Sequence, residues 1–369
     1  MSEVHPDVFI GISKEEIDTP ALLIDLDVFE ANIQTMAKFF KTVNAELRPH
    51  AKTHKTPIIA HKQLEAGAIG ITCAKLGEAE AMVHSGIRDV LIANQVVGTQ
   101  KIARLINLAK NSEIMVAVDD ADNVDQLSAA AEAKGVTLRV LIEVSTGMGR
   151  CGVMPGESTL ALARHILKSK ALKFEGLMGY EGHTVARPDL IERKIETGKA
   201  VELLIDTKHF LEEYGVAVNI MSGGGTGTFA ITGSYPEITE IQAGSYVFMD
   251  STYHNVEGVG DRFQCSLTLL TTVVSRPEPT RIIVDAGMKV LAKEFGIPQP
   301  LADGLEMRGL SEEHGTMDAE PSVDLKPGEK LEILPTHCCT TVNLHDRYYG
   351  VRNGIVESVW EIAARGKSQ

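Results

Sequence analysis

Short apolar runs alternate with amphipathic segments along the first two thirds of the chain, and this alternation constrains the fold more than any other feature. An apolar run over residues 21–26 is followed by strand-like runs at 45–51, 68–74, 89–95, 113–119, 137–145, 173–180 and 218–222. Helix-like segments separate them, the longest over residues 189–214. This alternation is typical of βαβ units around a parallel sheet, and hence of the α/β class. About eight units in roughly 250 residues favour a closed (β/α)₈ TIM-type barrel. An open doubly wound sheet stays an alternative, although no GxGxxG follows the first strand.

The pattern changes after about residue 255, where strand-like runs follow one another without long helices. These runs cover residues 263–274, 281–285, 329–334 and 340–351, and residues 298–328 are expected to form loops. Asn353-Gly354 lies between two of the last apolar runs and predicts a two-residue hairpin. We therefore expect a barrel domain over residues 1–255, whose short N-terminal segment is a candidate member of the β domain, and an antiparallel β domain over residues 256–369.

Composition excludes several classes of protein. The chain has 369 residues, enough for about two domains. It carries 50 acidic and 36 basic residues, a net charge of −14 without a basic block, which argues against nucleic-acid binding. No apolar run approaches the roughly 20 residues of a membrane span. Five scattered cysteines do not form a disulfide framework. With no leader-like start, these features predict a cytoplasmic protein with no membrane partner.

A cationic segment, Arg48-Pro49-His50-Ala51-Lys52-Thr53-His54-Lys55, follows what we take as the second strand. Active sites of (β/α)₈ barrels lie at the carboxyl ends of the strands, so this segment predicts an electropositive mouth. A lysine held among cations and partly desolvated has a lowered pKa and can act as an amine nucleophile. A solvated basic loop explains the segment equally well.

Three glycine-rich segments follow later strands. Residues 145–153 place Arg150 between glycines, where the backbone can approach a ligand closely and the arginine can donate to an oxygen anion. Ser222-Gly223-Gly224-Gly225-Thr226-Gly227 and Gln242-Ala243-Gly244-Ser245-Tyr246 could present N–H groups and hydroxyls to a phosphate. Phosphate sites late in the barrel recur in this architecture. Plain turns are the alternative for each segment, and the occurrence of two late in the barrel favours a phosphate site.

Histidine and cysteine lie close together in the expected β domain, at His337-Cys338-Cys339. If this segment is extended, His337 and Cys339 point to one face, because side chains alternate along a strand. An imidazole and a thiolate form half of a zinc-type site, and His345-Asp346 could supply or orient a further ligand. A buried histidine beside two inert thiols is the alternative, and on two ligands alone it is the better explanation.

Taken together, these motifs resemble the fold-type III pyridoxal phosphate enzymes, the alanine racemase-like barrels. More closely, the chain is similar to the branch that contains D-threonine aldolase and 3-hydroxy-D-aspartate aldolase. The resemblance runs from Thr19-Pro20 to Arg365-Gly366, and its most specific parts are RPHAKTHK, GMGRCGV, SGGGTG, QAGSYVFMD, VDAGMK, EEHG and NLHD…WEIAARG.

The resemblance implies a barrel plus a β domain, and a homodimer whose active sites lie near the subunit interface. Lys52 matches the lysine that forms the Schiff base with the cofactor, and Arg150 matches the arginine beside its phenolic oxygen. Tyr180 matches the tyrosine near the pyridine ring, and His337 matches the histidine ligand of the family's divalent metal. The remaining matches to cofactor and phosphate contacts are Thr226, Gly244, Ser245 and Tyr253.

Three positions depart from the aldolase pattern. The metal motif is His-x-Cys, ending at Cys339, where aldolases have His-x-Asp, and this is similar to the D-serine dehydratase and D-threo-3-hydroxyaspartate dehydratase branch. Ala74 replaces the family's glutamine near the cofactor. Glu181-Gly182-His183 replaces the usual continuation after the tyrosine.

The resemblance predicts a pyridoxal phosphate- and metal-dependent lyase that cleaves β-hydroxy-D-amino acids into glycine and an aldehyde. Zinc, manganese or cobalt would serve at His337 and Cys339, with magnesium as a further option. The candidates for the base at the β-hydroxyl are His54, His183 and a metal-bound water. Dehydration to a keto acid and ammonia is the alternative outcome. Racemisation, or cofactor binding without catalysis, fits less well because the β domain carries the His-x-Cys pair.

Overall fold

The computed structural model describes residues 6–369 as two compact units. One, the β unit, comprises the chain up to Thr35 together with Thr53–Thr56 and Ser245–Gly366. The other, the barrel unit, comprises Met36–Lys52, Pro57–Gly244 and Lys367–Gln369. Within the described residues, no helix combines the length and apolarity that a membrane crossing requires.

Strands and helices alternate over the first two thirds of the chain, as the sequence pattern indicates. The strands are β1 (Ala21–Asp25), β2 (Glu46–Leu47), β3 (Ile71–Cys73), β4 (Asp89–Ile92), β5 (Glu113–Val118), β6 (Leu138–Glu143), β7 (Leu172–Gly179), β8 (Ile220–Gly223), β9 (Glu240–Ile241), β10 (Leu267–Glu278), β11 (Arg281–Val284), β12 (Gln299–Pro300), β13 (Leu305–Leu310), β14 (Gly315–Ala319), β15 (Lys330–Leu334), β16 (Arg347–Arg352) and β17 (Ile355–Glu361). The helices are α1 (Leu26–Phe40), α2 (Pro57–Glu65), α3 (Leu76–His84), α4 (Thr99–Ala109), α5 (Ala121–Lys134), α6 (Glu157–Ile166), α7 (Leu190–Glu213), α8 (Phe229–Thr232), α9 (Ser251–His254) and α10 (Cys338–Val342). Short 3₁₀ helices cover Pro6–Phe9, Lys14–Glu16 and Ser245–Val247.

Eight parallel strands form the barrel unit, which confirms the (β/α)₈ fold class. Their order is β2-β9-β8-β7-β6-β5-β4-β3. A parallel bridge between His50 and Thr72 joins the two ends of that order. Around it, the Thr72 N–H donates to Pro49 O at 2.9 Å and the Ala51 N–H donates to Thr72 O at 2.8 Å. The sheet therefore closes immediately before Lys52.

Apolar side chains from neighbouring strands fill the barrel core. Leu91, Met115, Ala117, Leu141 and Met178 form one buried cluster. They come from β4, β5, β6 and β7, which pair in parallel with one another in sequence order. Strands buried on both faces in this way read as near-continuous apolar runs, which is why the sequence located them.

The apolar run over residues 21–26 was wrongly counted among the barrel strands. It forms β1, which pairs antiparallel with β10 and parallel with β16 in the β unit. The eighth barrel strand is instead β9, whose two residues are too short to give an apolar pattern. The cationic segment 48–55 consequently follows the first barrel strand, β2, rather than the second.

The β unit holds a mostly antiparallel sheet in the order β13-β14-β11-β10-β1-β16-β17, with β15 paired to β10 and β12. The predicted hairpin is confirmed, because β16 and β17 pair antiparallel around Asn353 and Gly354. These two residues have φ of 51° and 78°, the left-handed region that a type I′ turn requires.

Two expectations for the β unit were wrong. Residues 298–328 contain β13 and β14, which pair with each other and extend the sheet beyond β11, rather than loops alone. Their glycines and acidic residues have low strand propensity, and the pairing overrides it. The segment expected as a strand from residue 340 begins with helix α10, and β16 starts only at Arg347.

Arg48 does not contribute to an electropositive mouth, contrary to the sequence interpretation. Its guanidinium is buried and donates to both carboxylate oxygens of Glu240, at 3.1 and 2.9 Å, and to Asp89 at 2.8 Å. Burial opposes the charged form, but the pairing with Glu240 outweighs it and raises the pKa of Arg48. A Cβ on Gly70 would lie 2.1 Å from this guanidinium, so only glycine fits there. The cation therefore holds strands of the barrel together.

Replacing Arg48 with methionine should destabilise the protein strongly, because buried Glu240 loses its partner while remaining a charge in the interior. We expect a loss of about 3–5 kcal/mol in the free energy of unfolding, measured by urea denaturation. The control is Arg104→Met, which removes a more exposed pair with Glu80 and should cost no more than about 1 kcal/mol. Equal losses in the two variants would contradict a structural role for the buried pair.

Candidate active site

The structure divides the sequence-predicted site residues between the two units. The barrel unit contains Lys52, Arg150, Tyr180, His183, Thr226 and Gly244. The β unit contains His54, Ser245, Tyr253, His337 and Cys339. The expected cofactor contacts are divided between the units, with Ser245 and Tyr253 in the β unit, whereas both expected metal ligands lie in the β unit.

The Tyr180 ring has two cationic side chains beside it, those of Lys52 and Arg150. The Lys52 Nζ lies 5.6 Å from the centroid of the Tyr180 ring, and the Arg150 Cζ lies 5.8 Å from the same centroid. Both distances are within the range of a cation–π interaction. Lys52 is half-buried, and its backbone N–H approaches the Nδ1 atom of His50 at 3.4 Å. The three residues from three separate motifs therefore form one group at the carboxyl ends of β2, β6 and β7.

The loops that follow β6, β7 and β8 gather around Tyr180. A Cβ on Gly225 would lie 3.3 Å from the Tyr180 ring, and one on Gly182 would lie 2.5 Å from it. The exposed His183 ring lies against Gly147 of the arginine-bearing loop, 3.3 Å from the position of a Cβ there. These close approaches explain why glycine occupies positions 147, 182 and 225. They also place His183 at the mouth of the barrel.

A buried carboxylate organises the glycine-rich loop after β8. Glu181 accepts hydrogen bonds from the Gly224 N–H at 3.2 Å and from the Thr228 hydroxyl at 2.7 Å. It also accepts one from the Thr232 hydroxyl. Thr226 lies within this loop and is buried. The sequence identified Glu181 only as a departure from the aldolase pattern and gave it no role.

Three potential ligands, Asp119, Glu143 and Cys151, lie within 4.8 Å of one another beside Arg150. Burial is the main cause of the raised pKa of the Glu143 carboxyl, and Asp119 adds to it. Gln95 donates to Glu143 at 2.6 Å, and the Gly152 N–H donates to Asp119 at 2.9 Å. These bonds fix the loop that carries Arg150.

In the β unit, His337 lies beside a fully buried carboxylate. The His337 Nδ1 is 3.1 Å from an Oδ atom of Asp250, and the same oxygen accepts the Cys338 N–H at 3.2 Å. The other oxygen of Asp250 accepts the Tyr253 N–H at 2.9 Å, so Asp250 also caps α9. With its proton on Nδ1, His337 presents Nε2 as a ligand, the arrangement common to metal-binding histidines.

The two neighbouring cysteines complete a cluster with His337. One potential ligand atom from each of His337, Cys338 and Cys339 lies within 4.8 Å of the others. The Thr53 hydroxyl is 3.4 Å from the Cys339 Sγ, and the Ser245 hydroxyl is 4.0 Å from it. Cys338 is fully buried and Cys339 is half-buried, so Cys339 is the more accessible sulfur.

The strand argument for this cluster was wrong. His337 has extended backbone, but Cys338 and Cys339 begin α10, where successive side chains are about 100° apart rather than on opposite faces. Cys338 therefore belongs to the cluster and does not point away from it.

Electrostatics in this cluster are dominated by negative groups. Burial disfavours the charged imidazole of His337, but Cys339 and Asp250 outweigh it and raise the pKa of His337 to about 10. The hydrogen bond to Cys339, followed by burial, raises the pKa of the Cys338 thiol well above its ordinary value. Such a cluster favours a cation, and a bound divalent metal would displace the proton of His337.

Two further predicted site residues, His54 and Tyr253, have buried side chains. His54 is fully buried, its Nδ1 accepts the Thr56 N–H at 3.2 Å, and its carbonyl accepts the Tyr348 hydroxyl at 2.7 Å. Tyr253 is buried in α9. Asp250 and Thr53 were missed by sequence reasoning, although an acid that ends the apolar run YVFMD was a signal for Asp250.

Comparison with known proteins identifies the family. Residues 24–252 match the alanine racemase N-terminal domain, and residues 266–351 match a serine dehydratase domain. The chain therefore belongs to the family of alanine racemase-like barrel enzymes that carry this second domain, and such membership implies pyridoxal phosphate as the cofactor. A half-buried lysine at an aromatic ring, beside a glycine loop in the same unit, fits that cofactor.

Relatives named as aldolases are similar to this chain over nearly its whole length. D-threonine aldolase of Arthrobacter sp is 41% identical, covering 96% of this chain and 94% of the relative. 3-Hydroxy-D-aspartate aldolase of Paracoccus denitrificans (strain Pd 1222) is 37% identical, covering 97% and 94%. The crystal structure of D-threonine aldolase from Filomicrobium marinum matches with a TM-score of 0.92 and 40% identity, covering 97% of this chain and 98% of that one.

D-threo-3-hydroxyaspartate dehydratase is a more distant relative. The structure from Delftia sp. HT23 matches with a TM-score of 0.86 and 27% identity, covering 95% of this chain and 98% of that one. Two further structures are of variants of this dehydratase. In one, a histidine is replaced by alanine. In the other, which is in a metal-free form, a cysteine two positions after that histidine is replaced by alanine.

We predict that Lys52 carries the cofactor covalently, because its amine lies at the Tyr180 ring. The purified protein should be yellow, and borohydride should abolish the visible band and leave the reduced label on Lys52, as measured by peptide mapping. The Lys52→Ala variant should stay colourless, whereas Lys55→Ala, which changes a buried lysine of the β unit, should keep the band. A label on Lys55 or Lys75 would contradict the assignment.

Proposed function

We propose that this protein is a pyridoxal phosphate- and divalent-metal-dependent lyase that cleaves β-hydroxy-D-amino acids into glycine and an aldehyde. One observation carries the proposal. Lys52, whose amine lies at the Tyr180 ring, is followed directly by Thr53, whose hydroxyl lies 3.4 Å from the Cys339 Sγ. Thr53, the residue that follows Lys52 in the chain, therefore lies beside the sulfur that we propose as a metal ligand.

The cofactor residues have distinct tasks in this proposal. Bound pyridoxal phosphate would supply the electron sink for cleavage at the substrate α-carbon. Lys52 would hold it covalently, Tyr180 would pack near its ring, and Arg150 would donate to its phenolic oxygen. Thr226 and Gly244, with Ser245 and Tyr253, would form its phosphate and ring contacts. The short distances from the Lys52 amine and the Arg150 guanidinium to the Tyr180 ring support the tasks of these three residues.

His337 and Cys339 would hold the metal, which would supply a Lewis acid for the substrate β-hydroxyl. The carboxylate of Asp250 orients the imidazole from its other nitrogen, and Thr53 stands beside the sulfur. The Ser245 hydroxyl also approaches this sulfur. A thiolate is softer than a carboxylate, so zinc, cobalt or manganese should bind better than magnesium.

His183 is the best candidate for the group that takes the proton of the hydroxyl. It is exposed beside Gly147 at the mouth of the barrel, where a substrate could reach it. His54 is less suitable, because it is fully buried and its Nδ1 already accepts the Thr56 N–H. A proton acceptor has to come within hydrogen-bond reach of the group that it deprotonates.

Dehydration to a keto acid and ammonia is the second candidate function, and Cys339 is the observation that favours it. The dehydratase structures with a replaced histidine and cysteine have the same two-residue spacing as His337 and Cys339. The aldolase remains the first proposal because the aldolase relatives are 41% and 37% identical, against 27% for the dehydratase.

We also propose that the protein acts as a homodimer in the cytoplasm. The family resemblance supports the dimer. Within residues 6–369, which include all five cysteines, no disulfide bond is formed, which supports a reducing compartment.

Product analysis with D-threonine and 3-hydroxy-D-aspartate separates the two reactions. Because the aldolase cleaves between the α- and β-carbons, we expect glycine and an aldehyde in equal amounts. Ammonia with a keto acid would instead identify a dehydratase. L-Threonine and the Lys52→Ala variant serve as controls, and neither should give product. No metal-dependent turnover of any β-hydroxy-D-amino acid would overturn both functions.

Replacing Cys339 with aspartate should shift the metal preference from zinc toward manganese and magnesium, because a carboxylate is a harder ligand. We expect the ratio of zinc to manganese affinity to fall by roughly tenfold or more, measured by titrating the metal-stripped protein. The matched control is Cys73→Ala, which removes a buried thiol from β3 in the barrel unit. If Cys73→Ala shifts the ratio and Cys339→Asp does not, the metal lies elsewhere.

A further inference from the structure

Glu181 is a buried carboxylate that has no assigned task in the proposed reaction. It follows β7 by two residues, and almost none of its surface is exposed. Burying a carboxylate costs free energy unless hydrogen-bond donors compensate. A structure that keeps such a group fully buried needs donors at fixed positions.

All three donors come from one segment of the chain, Gly224–Thr232. They are the Gly224 N–H at 3.2 Å, the Thr228 hydroxyl at 2.7 Å and the Thr232 hydroxyl. The Thr228 hydroxyl also accepts the Gly225 N–H at 3.0 Å, which extends the network to a second backbone group of the loop. Glu181 is therefore bonded to both ends of the segment that contains Thr226.

A close backbone contact restrains the same loop from another direction. A Cβ on Gly227 would lie 1.7 Å from the Val185 carbonyl oxygen, so the loop passes directly against the segment that follows Glu181. The loop is thus held by one carboxylate and by one tight approach. Its conformation depends on three groups of the segment that donate to Glu181.

We propose that Glu181 is a positioning residue that holds the Gly224–Thr228 loop in the shape required to bind the phosphate of the cofactor. This inference rests on the proposed function, in which Thr226 contacts the cofactor. The carboxylate acts through the loop and does not touch the phosphate, since two anions in contact would repel each other. Its oxygens are engaged by loop donors instead.

The test compares pyridoxal phosphate with pyridoxal, which differs from it in lacking the phosphate. Apoprotein is titrated with each compound, and binding is followed by the visible band of the Lys52-linked cofactor. Glu181→Gln keeps the size of the side chain but removes a charged acceptor that serves several donors. We expect its affinity for pyridoxal phosphate to fall at least about tenfold, while its affinity for pyridoxal changes by less than about twofold. A merely structural role would weaken both compounds alike.

Glu175→Gln is the matched control. Glu175 is also buried and lies near the middle of β7, where it pairs with Arg139 at 2.8 Å and Lys173 at 2.9 Å. Its replacement should leave the ratio of the two affinities unchanged. Thr232→Val removes one donor to Glu181 and should reproduce part of the loss for pyridoxal phosphate alone.

The outcomes separate this inference from the proposed function. If the wild-type protein forms no visible band with pyridoxal phosphate, the proposed function fails. If it does, and Glu181→Gln weakens both compounds equally or neither, the positioning role is overturned. Should Glu181→Gln fail to fold, Thr232→Val and Glu181→Asp decide: a loss confined to pyridoxal phosphate supports the role, and an equal or absent loss overturns it.

Discussion

The hydrogen bonds that close the barrel determine where Lys52 lies. Thr72 accepts the Ala51 N–H and donates to Pro49 O, and these two bonds join β3 to the segment after β2. Lys52 is the next residue, so its main chain starts from a fixed position. The buried pairing of Arg48 with Glu240 holds the same segment a few residues earlier. A lysine that carries a cofactor needs such a support, because a small displacement of its amine would misplace the reacting bond.

Two pairs of consecutive residues divide between the barrel unit and the β unit along the chain. Lys52 is followed by Thr53 and Gly244 by Ser245, and each pair spans the boundary between the barrel unit and the β unit. The hydroxyls of Thr53 and Ser245 both approach the Cys339 sulfur. Ser245 is a proposed phosphate contact, and its hydroxyl lies 4.0 Å from the Cys339 Sγ, a potential metal ligand. A change at either hydroxyl would therefore affect the environment of the sulfur.

Features of the molecule that depend on local sequence could be predicted, and those that depend on distant partners could not. The hairpin at Asn353-Gly354 was predictable because asparagine and glycine tolerate a left-handed φ, and both residues have one here. The barrel was predictable because its longer strands are apolar throughout. β9 was missed because two residues carry no periodicity. Helix α10 was missed because the sequence after His337 favours a strand, and its helical start is fixed by Asp250, which lies 88 residues before Cys338.

Glu181 and Asp250 show the same limit in the candidate site. Each is a buried carboxylate that accepts hydrogen bonds from a functional segment. The partners of Glu181 lie 43 to 51 residues further along the chain, and the His337 ring lies 87 residues after Asp250. No spacing rule along the sequence relates them. Asp250 also completes a charge balance: its carboxylate and a Cys339 thiolate would carry two negative charges around a neutral His337, equal to the charge of a divalent cation. Burial opposes a proton on His337, but the same two groups outweigh it and raise the pKa of the imidazole to about 10, because nearby negative charge stabilises the protonated ring.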